Sequence, residues 1–264
     1  PIGGLWMLGS ASEDFLMSEA HRLEVTRLVS EHLDGKSPVI VGAGHPVLGA
    51  TYRFFDHTAE MKIDAYHLLP SDRKMKPTMA YRYCAMVADR APKPVWLYSN
   101  EKRALKIPVE VVRDLVDHPN VAGIKAAGYD LADIIPFCMM NGEQFQAIGS
   151  GGGHLPVFLA LGAEAHTASS ACSFPGAYCA VYELWQQGRL DEARQRAFAI
   201  SRLIRELPHP DNTEFCAEEK MVLELLGICR RHVHPPFRPC NEQEARQAAE
   251  VLERHGMLEA VGSD

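Results

Sequence analysis

Lys125 and Tyr98 are the side chains from which chemistry is read first. Lys125 lies near the end of Val121-Ala-Gly-Ile-Lys-Ala-Ala127, an apolar run too short for a helix of its own and suited to a buried strand. Tyr98 ends the preceding apolar run, residues 94–98. Attack of a lysine on a ketone needs a neutral amine, which burial and neighbouring cations favour, and a proton carrier beside it, which a phenol can be. A lone lysine at a strand end can also snorkel to solvent, so the reading depends on what else the chain brings to the same place.

The elements that must position this pair follow a regular alternation. Strand-like runs recur at residues 4–8, 38–42, 64–69, 94–98, 121–126, 145–149 and 163–169. Helical spacing fills the intervals at 19–33, 47–61, 77–91, 108–118, 131–140, 155–161 and 175–187, the first with Ser18 as its N-cap. Such alternation predicts parallel strands joined by crossover helices. Seven units are one short of a (β/α)₈ barrel, and residues 4–9 already read as a strand in full stride. The expectation is therefore a TIM barrel whose first βα unit is missing from this chain, with a doubly wound open sheet as the alternative. After Gly188 the strand signal stops, and helical patterns follow at 191–207, 214–226 and 242–256. We expect residues 1–188 to form the barrel and residues 189–264 a C-terminal helical extension packed on it as one structural unit.

A barrel gathers its strand ends at one mouth. Those ends present Gly9-Ser-Ala-Ser-Glu13, Gly42-Ala-Gly-His45, Pro70-Ser-Asp-Arg73, Tyr98-Ser-Asn100, Lys125, Gly149-Ser-Gly-Gly-Gly-His154 and the segment from Thr167. Ser150 and Gly151, in a glycine-rich turn leading into a helix, could hold a carboxylate or phosphate through backbone N–H groups, or simply make room for bulk. Cys229, His232, His234 and Cys240 have metal-binding side chains, but their spacing fits no standard zinc pattern, and no metal is expected.

The formal charge of −7 and a pI near 6.0, with no basic block, argue against a nucleic-acid partner and for a small molecule. The seven cysteines are scattered rather than set at framework spacings, which suits a reduced, cytoplasmic protein. No run of 18 apolar residues and no signal-peptide pattern is present, so no membrane segment is expected.

Taken together, these motifs resemble a known family. Gly-x-x-x-Glu at Gly9–Glu13, Leu97-Tyr98, Gly123-Ile-Lys125, Leu-Pro-x-x-Leu-Ala-Leu-Gly-Ala from Leu155 to Ala163, and His-Val-His-Pro-Pro from His232 to Pro236 are similar to the dihydrodipicolinate synthase and N-acetylneuraminate lyase family, in order and with near-family spacing. The resemblance implies a (β/α)₈ barrel with C-terminal helices, a homo-oligomer (tetramer or dimer), no cofactor, and a lysine that forms a Schiff base with pyruvate or another 2-oxo acid. On this basis Lys125 is the Schiff-base lysine and Tyr98 the proton shuttle. Ser10 and Ala11 fall in the turn that holds the 2-oxo acid carboxylate, and Arg103 falls where dipicolinate-forming members place an arginine for a second carboxylate.

The chain also departs from the family pattern. Ala11 stands where a second hydroxyl is common, and Pro70-Ser-Asp-Arg73 replaces a motif that lends a tyrosine to the neighbouring subunit. Ser150 to Gly153 and Ala127 replace the acids and the hydroxyl of sugar-cleaving members. These departures speak against an authentic dihydrodipicolinate synthase and an authentic sialic acid lyase. The leading expectation is an aldolase-type lyase that makes or breaks a C–C bond next to a Schiff base. The alternatives are a sugar-acid dehydratase using the same Schiff base and a lapsed member that only binds a metabolite or partner. Lys102, Arg103 and Lys106 further suggest a cationic loop facing an acceptor with a second anionic group.

Overall fold

The computed structural model describes residues 2–101, 103–210 and 215–258. Lys102 and Glu214, which figure in the expectations above, lie outside the described residues, as do residues 259–264. The described residues divide into two compact units, one of Ile2–Ser150 with Val157–Thr167 and one of Gly151–Pro156 with the described residues from Ala168 onward.

The first unit is a nearly closed parallel barrel of seven strands in sequence order: β1 (Leu5–Met7), β2 (Val39–Gly42), β3 (Ala65–Leu68), β4 (Val95–Asn100), β5 (Val121–Ala127), β6 (Gln146–Ser150) and β7 (His166–Thr167). Between them run α1 (Glu19–Leu33), α2 (Leu48–Thr58), α3 (Pro77–Arg90), α4 (Val109–Leu115), α5 (Leu131–Met139) and α6 (Leu155–Ala160). The Ser18 hydroxyl accepts from the His21 N–H and starts α1, as its residue type predicts. Strands packed on both faces read as continuous apolar runs, and β3 is buried at every position. Val39, Val41, Tyr66, Leu68, Leu97, Ile124 and Ala147 from the strands pack with Phe54, Phe55, Val111, Val112 and Phe137 from the helices. The hydroxyl of the fully buried Tyr66 is satisfied by Thr58 at 2.7 Å.

A register shift decides which side chains meet. Val95 pairs with Val121, but Trp96 pairs with Gly123, so Ala122 is an extra residue on β5. Beyond this bulge Tyr98 lies opposite Lys125. Without it Tyr98 would face Ile124, and the lysine would be offset by one residue, which in a strand means the opposite face. The bulge also accounts for Gly123: a Cβ there would stand 2.1 Å from the Gln146 carbonyl oxygen and 2.5 Å from the Trp96 ring.

The last strand is shorter than the expected 163–169. The Ala163 N–H bonds back to the Phe158 carbonyl, and Gly162 (φ 84°) adopts the left-handed conformation that ends α6, so these residues cap a helix. Two 3₁₀ turns, Asp14–Leu16 and Ser169–Ala171, have no counterpart in the sequence reading.

The second unit contains α7 (Pro175–Gln186), α8 (Leu190–Glu206), α9 (Phe215–Leu225) and α10 (Glu242–Arg254). Its core joins Phe174, Leu203, Val222, Val251 and Leu252. Asn241 and Glu244 close a reciprocal capping box at the start of α10.

Candidate active site

Lys125 is 9% exposed, and its Nζ lies 4.4 Å from the centre of the Tyr98 ring and 4.8 Å from that of Trp6. Burial disfavours the ammonium and pulls this amine down to about 7. At pH 7 about half of it is the neutral form, against roughly 0.03% for a lysine at its ordinary value of 10.5. At 9% exposure the side chain does not snorkel to solvent.

Tyr98 is 3% exposed, and its hydroxyl is 2.8 Å from Ser10 Oγ. Asn100, two residues on and so on the same face of β4, donates from Nδ2 to Ser10 Oγ at 3.1 Å and to Tyr98 Oη at 3.3 Å. Burial raises the phenol above its ordinary value despite these bonds, so Tyr98 rests protonated and can donate. Ser10 and Tyr98 share one hydrogen between their oxygens, and the other hydroxyl proton is left to be passed on.

Two aromatic residues that the sequence did not single out complete the surroundings. Trp6, on β1, stacks on His67 of β3 with ring centres 4.5 Å apart and planes 13° off parallel, and meets Tyr98 edge-on at 5.7 Å. His67 Nε2 is 3.0 Å from the Met7 carbonyl oxygen, which can only accept, so Nε2 carries the proton. Burial, with the nearby Lys125 charge, pushes His67 down to about 3 and keeps it neutral. The imidazole is a wall here, not a base.

The Gly9–Glu13 turn runs past this cluster. It is closed by the Ser12 N–H on the Gly9 carbonyl at 2.8 Å and bracketed by Leu8 (φ 54°) and Glu13 (φ 56°), both left-handed and both buried. Such backbone costs about 1–3 kcal/mol per residue and persists where surrounding structure enforces it, most often at functional sites. Ala11 sits half-buried in the turn without a hydroxyl. Asp14, which follows, is raised to about 6 by burial against the opposing pull of Arg22 and Arg103.

The structure brings Lys125, Tyr98 and Ser10 together, with Ala11 next to Ser10 in the turn. The Arg103 guanidinium lies 4.6 Å above the Phe15 ring, and its charge is felt by Asp14 and Tyr98. Lys106 is engaged by Asp133 at 2.7 Å and lies over Tyr129, so its charge is matched and the loop is less cationic than the sequence suggested. Ser150 and Thr167 pair across β6 and β7, and the Thr167 hydroxyl donates to the Gly149 carbonyl at 3.1 Å, which commits it to the sheet. Gly151 (φ 110°) begins the second unit, and its left-handed backbone explains the glycine. Asn100 was legible as Tyr98 plus two; Trp6 and His67 had no such signal.

Comparison with known proteins bears on the family and the fold. The model of the dihydrodipicolinate synthetase family matches residues 2–255. The chain is 26% identical over 257 residues to a 4-hydroxy-tetrahydrodipicolinate synthase of Methanospirillum hungatei, covering 96% of this chain and 87% of the relative. It is 26% identical over 262 residues to that of Methanosarcina mazei, covering 98% and 88%. A prophage protein of the dihydrodipicolinic acid synthase family from E. coli K12, solved in complex with pyruvate, superposes with a TM-score of 0.89 at 23% identity over 97% of this chain and 88% of its own. The 2-keto-3-deoxygluconate aldolase of Sulfolobus solfataricus gives 0.85 at 15% identity, covering 97% and 85%. At such identities the two structures speak for the fold alone.

Proposed function

Because the chain belongs to the dihydrodipicolinate synthetase family, we propose that it is a class I lyase of aldolase type acting through a Schiff base between Lys125 and pyruvate or a related 2-oxo acid. The observation that carries this reading is the Lys125 amine, lowered to about 7 by burial and set 4.4 Å from the ring of a protonated Tyr98. The neutral amine adds to C2 of the 2-oxo acid. Tyr98, relayed through Ser10, gives a proton to the carbinolamine oxygen, and water leaves with formation of the iminium. The iminium accepts the electron pair freed when a C3 proton is removed, and the resulting enamine attacks an aldehyde acceptor; cleavage is the reverse. The Gly9–Glu13 turn with Ser10 and Ala11 holds the carboxylate. Incubation of the full chain with a panel of 2-oxo acids and borohydride, followed by peptide mass spectrometry, tests the proposal. The expected result is a stable adduct on Lys125; an unmodified Lys125 with every 2-oxo acid overturns it.

The same trapping reaction has a defined pH dependence. Attack requires the unprotonated amine, and its folded-state value is depressed, so the initial trapping rate is expected to rise through pH 7 and level off above about pH 8. A rate still climbing at pH 10 would show an ordinary, solvated lysine.

Arg103, held over Phe15 beside the mouth, is proposed to clamp a second anionic group on the acceptor, with Ser150 contributing across the sheet. Arg103→Ala is expected to erase most of the preference for acceptors bearing a distal carboxylate or phosphate over matched neutral ones, by roughly 1.5–3 kcal/mol in kcat/KM. An unaltered preference removes the clamp.

We also infer a homo-oligomer in the cytoplasm. Leu131, Ile135 and Met139, spaced four apart on one face of α5, are 55%, 43% and 81% exposed, which supports a covering copy; the seven free thiols support a reducing compartment. Sedimentation velocity giving only monomer would overturn the first inference.

A further inference from the structure

We propose that the indole N–H of Trp6 donates a hydrogen bond to the carboxylate of the 2-oxo acid held on Lys125, supplying a donor that Ala11 cannot; this rests on the Schiff-base reading above. Trp6 Nε1 is buried and has no acceptor among the described residues. An indole nitrogen can only donate, so a buried one without a partner costs free energy that simple packing would not require. A phenylalanine would supply a ring here without that cost.

The position of the N–H edge is fixed. Nε1 and Cδ1 each lie 3.4 Å from where a Cβ on Gly9 would stand, so this edge borders the first residue of the Gly9–Glu13 turn. The ring centre is 4.8 Å from Lys125 Nζ. His67 stacks on one face and is itself anchored on the Met7 carbonyl, while Trp96 and Tyr98 meet the ring edge-on at 6.2 and 5.7 Å. His67 Nδ1 is a buried acceptor without a donor, yet it cannot serve. The two rings are stacked within 13° of parallel, and an in-plane N–H does not point at an in-plane lone pair of the ring above it.

On the turn itself, the Ser10 hydroxyl is already engaged by Tyr98 and Asn100, and Ala11 has none. A 2-oxo acid bonded to Lys125 through C2 carries its carboxylate on the adjacent carbon, and the amine lies 4.8 Å from the centre of the indole ring. The carboxylate is acceptor-only and charged, the partner for which such a bond is strongest. The carbinolamine oxygen is served by the Tyr98 hydroxyl, so the two donors have separate tasks.

The test is Trp6→Phe, which keeps a ring and removes the donor. Borohydride trapping at Lys125 should persist, with the half-saturating pyruvate concentration raised roughly tenfold or more. The maximal trapping rate should change by less than about threefold, since a bond made equally in bound and reacting states acts on KM rather than kcat. Trapping of acetone, a ketone without a carboxylate, should be nearly unchanged. Equal pyruvate dependence in variant and wild type overturns the proposal. A second measurement does not need the variant to fold. In protein labelled with ¹⁵N-indole, the signals of Trp6, Trp96 and Trp185, assigned with Trp96→Phe and Trp185→Phe, should show the Trp6 proton moving downfield on addition of pyruvate, and an unmoved Trp6 signal overturns the proposal. Absence of any adduct in the wild-type chain is a different result, and it removes the Schiff-base reading itself.

Discussion

Lys125→Ala is expected to lose both the borohydride-stable adduct and turnover, with kcat falling by roughly 10⁴ to 10⁶, the order observed when an enzymatic nucleophile is deleted. The argument is geometric as well as chemical. Lys125 is held on β5 by strand pairing on both sides, with Tyr98 on one flank and Ile148 on the other. Lys125→Arg is expected to be as inactive as the alanine variant, because a guanidinium stays protonated and cannot attack a carbonyl. An adduct of undiminished yield in Lys125→Ala would place the chemistry on another lysine.

Tyr98→Phe is expected to lower kcat by about 10² to 10⁴ while leaving KM for the 2-oxo acid within a few-fold. The substitution removes the phenolic oxygen but keeps the ring that faces Lys125 and Trp6. Ser10 keeps its bond from Asn100, so the turn should stay in place and the loss should be confined to proton transfer. Steady-state kinetics with any competent acceptor, or the rate of C3 proton exchange in pyruvate alone, measures it. An unchanged exchange rate would reduce Tyr98 to packing.

Much of this site was legible in the sequence, for reasons that can be traced to particular residues. The run carrying Lys125 is too short for a helix of its own and reads as a strand, and Tyr98 ended the neighbouring one, so parallel order put them on adjacent strands. What the sequence does not carry is the register. The extra residue at Ala122 leaves no compositional mark, yet it aligns Tyr98 with Lys125 rather than Ile124. Gly123 hinted that backbone or ring approaches closely there, without saying which. The aromatic enclosure was hidden for a different reason. Trp6 and His67 are 61 residues apart, and either is an unremarkable strand residue until the barrel stacks them. Likewise Lys106 looked like part of a basic loop because its partner Asp133 lies 27 residues on, in α5 beyond the next strand. Ala163 read as strand by hydropathy, and only the glycine cap before it shows the helix still ending.

The enclosed amine of Lys125 also has a consequence for the folded state as a whole. Its value is about 7 in the folded chain and near 10.5 in the unfolded one, so between those limits the unfolded chain binds more protons. The resulting penalty on folding is absent above pH 10.5, grows as pH falls, and is complete below pH 7, where it amounts to at most about 5 kcal/mol at 1.36 kcal/mol per unit. The Lys125→Met variant, similar in side-chain length and uncharged there, should therefore melt at a higher temperature at pH 6 than the native chain, and the gap should narrow toward pH 10. The dry surroundings that hold the Lys125 amine near neutrality at pH 7 therefore weigh against the folded state as pH falls.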